Sequence, residues 1–232
     1  MPGGLHAHAF ADLRYEHKIE EAVPNDVAFC AICVGTTAFP TVRWRGGNPE
    51  SNAESILKLI RVLSRRAEAQ NTKIDVSMLS SAGVDDPSGP IALLNAFGAI
   101  SWLKKAEQFV QEHESYLQWS IMRPGRLIGG PLTSYDLNTA TGATDDGLER
   151  LCLLPGNAGP PQQTSRAHVA RCMAGSLFSS HAKSHKFVLA SEKESSGNGK
   201  ERQSECAQSG TNDTCESMDA LFKRATAKKS RA

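Results

Sequence analysis

Apolar positions along the chain fall into two alternating rhythms. Val27-Ala28-Phe29-Cys30-Ala31-Ile32-Cys33-Val34 is apolar throughout and bounded by Pro24-Asn25-Asp26 and Gly35, which predicts a strand over 27–34 buried on both faces. Ile56, Leu59, Ile60 and Leu63 then recur at i, i+3, i+4 and i+7, the stripe of an amphipathic helix. Asn48-Pro49 supplies its N-cap and a proline at the first helical position. The unit repeats: Ile74 to Leu79 reads as a strand, and breakers follow over 85–90. A helix carrying Leu93, Phe97, Ile100 and Phe109-Val110 comes next, and Leu117 to Met122 is a third strand. This alternation predicts right-handed crossovers, with strands 27–34, 74–79 and 117–122 as parallel neighbours whose carboxyl ends share one face.

Beyond that unit the rhythm weakens. A short strand is expected over 151–154, a helix over 165–178 with Val169, Met173 and Leu177 inward, and a last strand over 186–190. Residues 7–22 are helix-compatible through Phe10, Leu13 and Ile19. From Ser191 the composition turns to Ser, Glu, Gly, Gln and Asn, so 191–217 is expected to be disordered. Met218 to Ala232 then forms a short basic helix around Leu221-Phe222-Lys223-Arg224, read as a solvated tail in preference to a contact with an acidic partner. The expected organisation is one α/β domain over 1–190 and a polar tail over 191–232.

With 232 residues, 40% hydrophobic and 22% charged, the chain can bury one α/β core. A net charge of +1 gives no electrostatic reason to expect nucleic acid or a membrane surface as partner. No apolar run reaches 18 residues, so no transmembrane helix is expected, and Met1-Pro2-Gly3-Gly4-Leu5 has neither secretory nor transit character; the chain reads as cytosolic. Among 6 cysteines, Cys30 and Cys33 form a C-x-x-C, which suits a redox pair or half a zinc site. They lie on a strand, where residues three apart point to opposite faces, so the reading is two small buried hydrophobes with diverging sulfurs. The 7 histidines show no ligand spacing and no metal is proposed. No G-x-S-x-G accompanies them to suggest a hydrolase elbow.

Candidate chemistry gathers at the predicted carboxyl ends. Arg123-Pro124-Gly125 stops the third strand and opens into a loop rich in Gly, Pro, Thr and Ser up to Leu137, where open parallel sheets hold ligands. Gly35 either ends its strand or lets a ligand approach the backbone. Ser80 and Ser81 bond either a ligand or their own turn. Arg123 either lines the crevice or bonds carbonyls, and His168 is read as a surface or packing residue.

Val34-Gly35-Thr36-Thr37-Ala38-Phe39-Pro40, Leu79-Ser80-Ser81-Ala82-Gly83-Val84 and Arg123-Pro124-Gly125-Arg126-Leu127, continuing to Thr133-Ser134-Tyr135-Asp136-Leu137, together carry a resemblance. Over about 27–189 the chain resembles the atypical, NmrA-like short-chain dehydrogenase/reductase proteins, in their plant and algal branch. The resemblance implies an α/β fold, an incomplete Rossmann-like parallel sheet flanked by helices, with NAD(P) as cofactor. It implies Gly35, Thr36, Thr37, Ser80, Ser81, Arg123, Pro124 and Gly125 along the cofactor, and Tyr135 and Asp136 beside substrate. Ser81 and Lys104 are the catalytic candidates. The family's Tyr and Lys positions hold Ala99 and Leu103, and Lys104 would serve only if the helix turned by about 100°. None of the 19 glycines makes the phosphate-cradling turn after a strand, and strand 27–34 resembles the family's fourth. The expectation is therefore a chain lacking three strands, by a shortened gene model or true loss. Its first strand would be an exposed edge, and NAD(P) binding would be weak.

Three functions follow from the resemblance: an NAD(P)-binding-fold protein without reductase activity, an interaction or assembly protein using the crevice or the sheet edge, or an oxidoreductase completed by an upstream segment. A dinucleotide or small molecule in the crevice, a protein at the edge and a chloroplast location are the implied partners and compartment. NAD and NADP are not distinguished, because the residue that reads the ribose follows a strand outside the match.

Overall fold

A computed structural model describes residues 9, 11–34, 48–85, 98–129, 150–156, 163–192 and 217–229. Its elements in chain order are α1 (Glu16–Ala22), β1 (Phe29–Ile32), α2 (Pro49–Gln70), β2 (Ile74–Leu79), α3 (Ala99–Glu112), β3 (Leu117–Pro124), β4 (Arg126–Ile128), β5 (Arg150–Pro155), β6 (Gln163–Ser165), α4 (Arg166–Phe178), β7 (His185–Glu192) and α5 (Met218–Lys229). A 3-10 turn, Ser180–Ala182, joins α4 to β7.

The main sheet runs β1-β2-β3-β7-β5, and β4 pairs with β6 apart from it. β1, β2, β3 and β7 are parallel, with Phe29 opposite Asp75, Ile74 opposite Leu117 and Ser120 opposite His185. The expected parallel trio is present. β5 is antiparallel to β7, with Arg150 opposite Glu192. That pairing draws β7 past its expected end at 190, so Ser191, expected in a disordered tail, is a buried strand residue. The remainder of the expected disordered segment, 193–216, lies outside the described residues.

Alternation along the strands builds two apolar layers. On one face Ile74, Val76 and Met78 of β2 and Leu117, Trp119 and Ile121 of β3 meet Ile56, Ile60 and Leu63 of α2 and Ala106 and Val110 of α3. On the other, Met122, Phe187 and Leu189 meet Val169, Cys172 and Met173 of α4 and Leu221, Phe222 and Ala225 of α5. Burying each large apolar side chain stabilises the fold by about 1.5–3 kcal/mol, so the α2 stripe alone outweighs any single surface contact. α2 starts where the Asn48 side chain accepts from Ser51 N at 2.7 Å, and stops at Asn71 in the left-handed region, φ 50°.

α5 corrects an expectation. Its apolar residues Met218, Leu221, Phe222 and Ala225 form an i, i+3, i+4, i+7 stripe that closes the core over β7, where the sequence suggested a solvated tail. Phe222 meets Phe187 edge-on, with ring centroids 5.0 Å apart, and Asp219 accepts from Ser179 Oγ at 2.5 Å. Met218 seats on Gly175 so closely that a Cβ added there would lie 2.8 Å from the Met218 Cβ. The helix expected over 7–22 is confined among the described residues to α1, where Ile19 packs inward.

β1 has one strand neighbour among the described residues, β2. Phe29 is 46% exposed and Phe178 of α4 is 75% exposed, their ring centroids 5.0 Å apart at this edge. The two C-x-x-C sulfurs diverge, Cys30 packing with the α2 layer and Cys33 Sγ lying 3.6 Å from Met173 Sδ of α4, but they are not the two buried hydrophobes expected: β1 ends at Ile32, Cys33 beyond it is exposed and Cys30 is half-buried. Both are free thiols, and burial, then the neighbouring Cys33, pushes Cys30 up to about 11. Among the described residues there is no helix long and apolar enough to cross a membrane and no cluster of metal-ligating side chains.

Candidate functional site

The carboxyl ends of β2 and β3 form the floor of the candidate site. Backbone bonds carry the ladder past β2: Ser80 N donates to Met122 O at 2.8 Å, and Ala82 N donates to Pro124 O at 2.8 Å. The turn after β2 is thus tied to the end of β3. Within it Ser81 Oγ donates to Ala82 O at 3.2 Å, satisfying its own turn. Ser80 differs: it is 8% exposed and its Oγ has no hydrogen-bond partner among the described residues. A buried hydroxyl left unpaired costs about 1–3 kcal/mol, which marks it as a place where a ligand group or water would be stabilised.

Arg123 and Glu107 are each 1% exposed. Arg123 Nε donates to Glu107 Oε1 at 2.9 Å, its Nη2 to Glu107 Oε2 at 2.5 Å and its Nη1 to Asp85 Oδ2 at 2.7 Å. Lys186 Nζ adds a contact of 3.6 Å to Glu107 Oε2. Burial pulls the guanidinium's affinity for its proton down; the Glu107 and Asp85 carboxylates outweigh this and leave it above its ordinary value. Expected to line the crevice or to bond carbonyls, Arg123 gives donors to two carboxylates. The fork bolts β3 to α3 through Glu107 and to the 81–85 turn through Asp85.

Pro124 is buried at the end of β3, and Gly125 turns the chain toward β4. Gly125 N donates to Thr164 Oγ1 at 3.1 Å and to Leu189 O at 3.4 Å, and Thr164 Oγ1 itself donates to Leu189 O at 2.7 Å. The glycine N–H is therefore used within the fold. At the start of α4, Ser165 caps Ala167 N at 3.2 Å, Arg166 reaches Gly129 O, and His168 Nδ1 lies 2.8 Å from Ser191 Oγ. His168 is buried as a packing residue.

On α3 the buried stripe is Ile100, Ala106, Glu107 and Val110, with Ala99 and Leu103 half-buried. Lys104 is exposed, one residue and so about 100° round the helix from Leu103. No hydrogen bond joins Ser81 to Lys104 among the described residues. Gly35, Thr36, Thr37, Tyr135 and Asp136 lie outside the described residues. Glu107, Asp85 and Thr164 organise the floor without having been singled out from sequence. Glu107 did carry a signal: it stands on the apolar stripe, seven residues after Ile100 and three before Val110, where a carboxylate must find a partner.

No protein-family model matches the chain, and no curated protein does. Solved structures do resemble it. A wide-type short-chain dehydrogenase/reductase from Veillonella parvula, in complex with NADP, is 18% identical with a TM-score of 0.50, covering 77% of this chain and 69% of its own. A Bacillus halodurans protein assigned to the NAD-dependent epimerase/dehydratases is 19% identical with a TM-score of 0.51, covering 79% of this chain and 72% of its own. At these identities the likeness is one of fold. The fold shared with these structures is a Rossmann-type parallel sheet with flanking helices.

The fit to a dinucleotide can be read from polar atoms still free at the strand ends. Ser80 Oγ is available for one hydrogen bond, whereas Ser81 Oγ and the Gly125 N–H are bonded within the fold. The described floor thus offers one free hydroxyl to a ligand. No G-x-G-x-x-G or G-x-x-G-x-x-G follows a strand in the sequence to take the pyrophosphate.

Proposed function

We propose that the protein is an NAD(P)-fold protein of the atypical short-chain dehydrogenase/reductase kind whose crevice at the strand ends lacks reductase chemistry. The observation that carries this reading is the set of α3: the half-buried Ala99 and Leu103 stand where the resemblance calls for a tyrosine and a lysine, and Lys104 is exposed. Reduction of a carbonyl needs a positioned proton donor as well as a hydride. A bound dinucleotide would supply the hydride; the chain's contribution would be Ser80 bonding the ligand, over a floor held by Arg123, Glu107 and Asp85. Ser81 bonds its own turn and supplies no proton.

The test separates binding from turnover. By calorimetry, the chain as it stands should bind NADPH weakly, and absorbance at the nicotinamide band should show no oxidation with carbonyl substrates. Micromolar NADPH binding or measurable oxidation overturns the reading. The resemblance of the motifs to plant and algal proteins makes the plastid the compartment to test, by imaging the tagged full chain.

A second reading, an assembly protein, is favoured by the exposed Phe29 and Phe178 rings on the β1 edge. Its expected mark is concentration-dependent association in sedimentation, removed by Phe29→Lys with Phe178→Lys. Association unchanged in that double variant would count against it.

A further inference from the structure

We draw no further inference here: the strongest candidate, the apolar edge of β1 where Phe29 meets Phe178 in the open, carries none because nothing in the structure shows what covers it.

Discussion

Arg123 shows how one residue can be read two ways until its partners are known. A guanidinium at a strand end suits an anionic ligand, yet here it is 1% exposed and forked onto Glu107. Breaking one side of a buried pair leaves the other charge stranded, so Glu107→Ala should cost about 3–5 kcal/mol. The joint replacement of Glu107 by Leu and Arg123 by Met should recover part of that loss. Urea unfolding of the two variants beside the parent chain checks both statements, and a Glu107→Ala cost under about 1 kcal/mol would show that the pair is not a structural bolt. The thiols give a pH prediction. Burial raises Cys30 from 9.0 to about 11, so the folded state holds its proton more tightly than the unfolded chain does. Its contribution to stability is fully present below about pH 9 and is lost as pH rises toward 11. Cys30→Ala should flatten the stability profile in that window. For the same reason, alkylation followed by mass spectrometry should modify the exposed Cys33 before Cys30 or Cys172 in the folded protein.

At the scale of elements, α5 is the one whose role changes most between sequence and structure. A short helix is not stable in water by itself, and its order here comes from packing Leu221, Phe222 and Ala225 over β7. Phe222→Ala should therefore cost about 3–5 kcal/mol, in the manner of a core substitution. Gly175→Ala puts a methyl 2.8 Å from the Met218 Cβ, closer than side-chain carbons pack, so the α4–α5 contact must shift. It should cost about 1–3 kcal/mol despite alanine's better helix propensity. Thermal melts of Gly175→Ala, with and without Met218→Gly, separate the two effects; removing the Met218 Cβ should relieve the clash. If Gly175→Ala alone raised the melting temperature, α5 would not be docked there.

For the molecule as a whole, parallel strands set the gradient of stability. β2 and β3 are central, with a strand on each side and a helical layer on each face, whereas β1 has one neighbour among the described residues. Amide hydrogen exchange should be slowest in β2 and β3 and faster in β1, because opening the edge breaks a single ladder. Equal protection across the three would mean that the β1 edge is covered in solution. The carboxyl ends of these strands gather Ser80, Arg123, Pro124 and Gly125 on one side of the sheet, and this common side follows from strands running the same way.

Much of this order was legible in the residues themselves. The apolar runs at 27–34, 74–79 and 117–122, separated by helical stripes, required a parallel sheet because burial of those faces and right-handed crossovers allow little else. The alternation of a strand likewise settled that Cys30 and Cys33 part company. Other features depended on contacts between residues far apart in the chain, to which periodicity is blind. Nothing local to Ser191 shows that β5 will pair against it, and nothing near Arg123 shows that its partners are Glu107, on a helix, and Asp85, in a turn. The docking of α5 lies between these cases. Its stripe was written in the sequence, but only a core left open over β7 decided that the helix folds back to fill it, since burying Phe222 there offsets the entropy of ordering the segment.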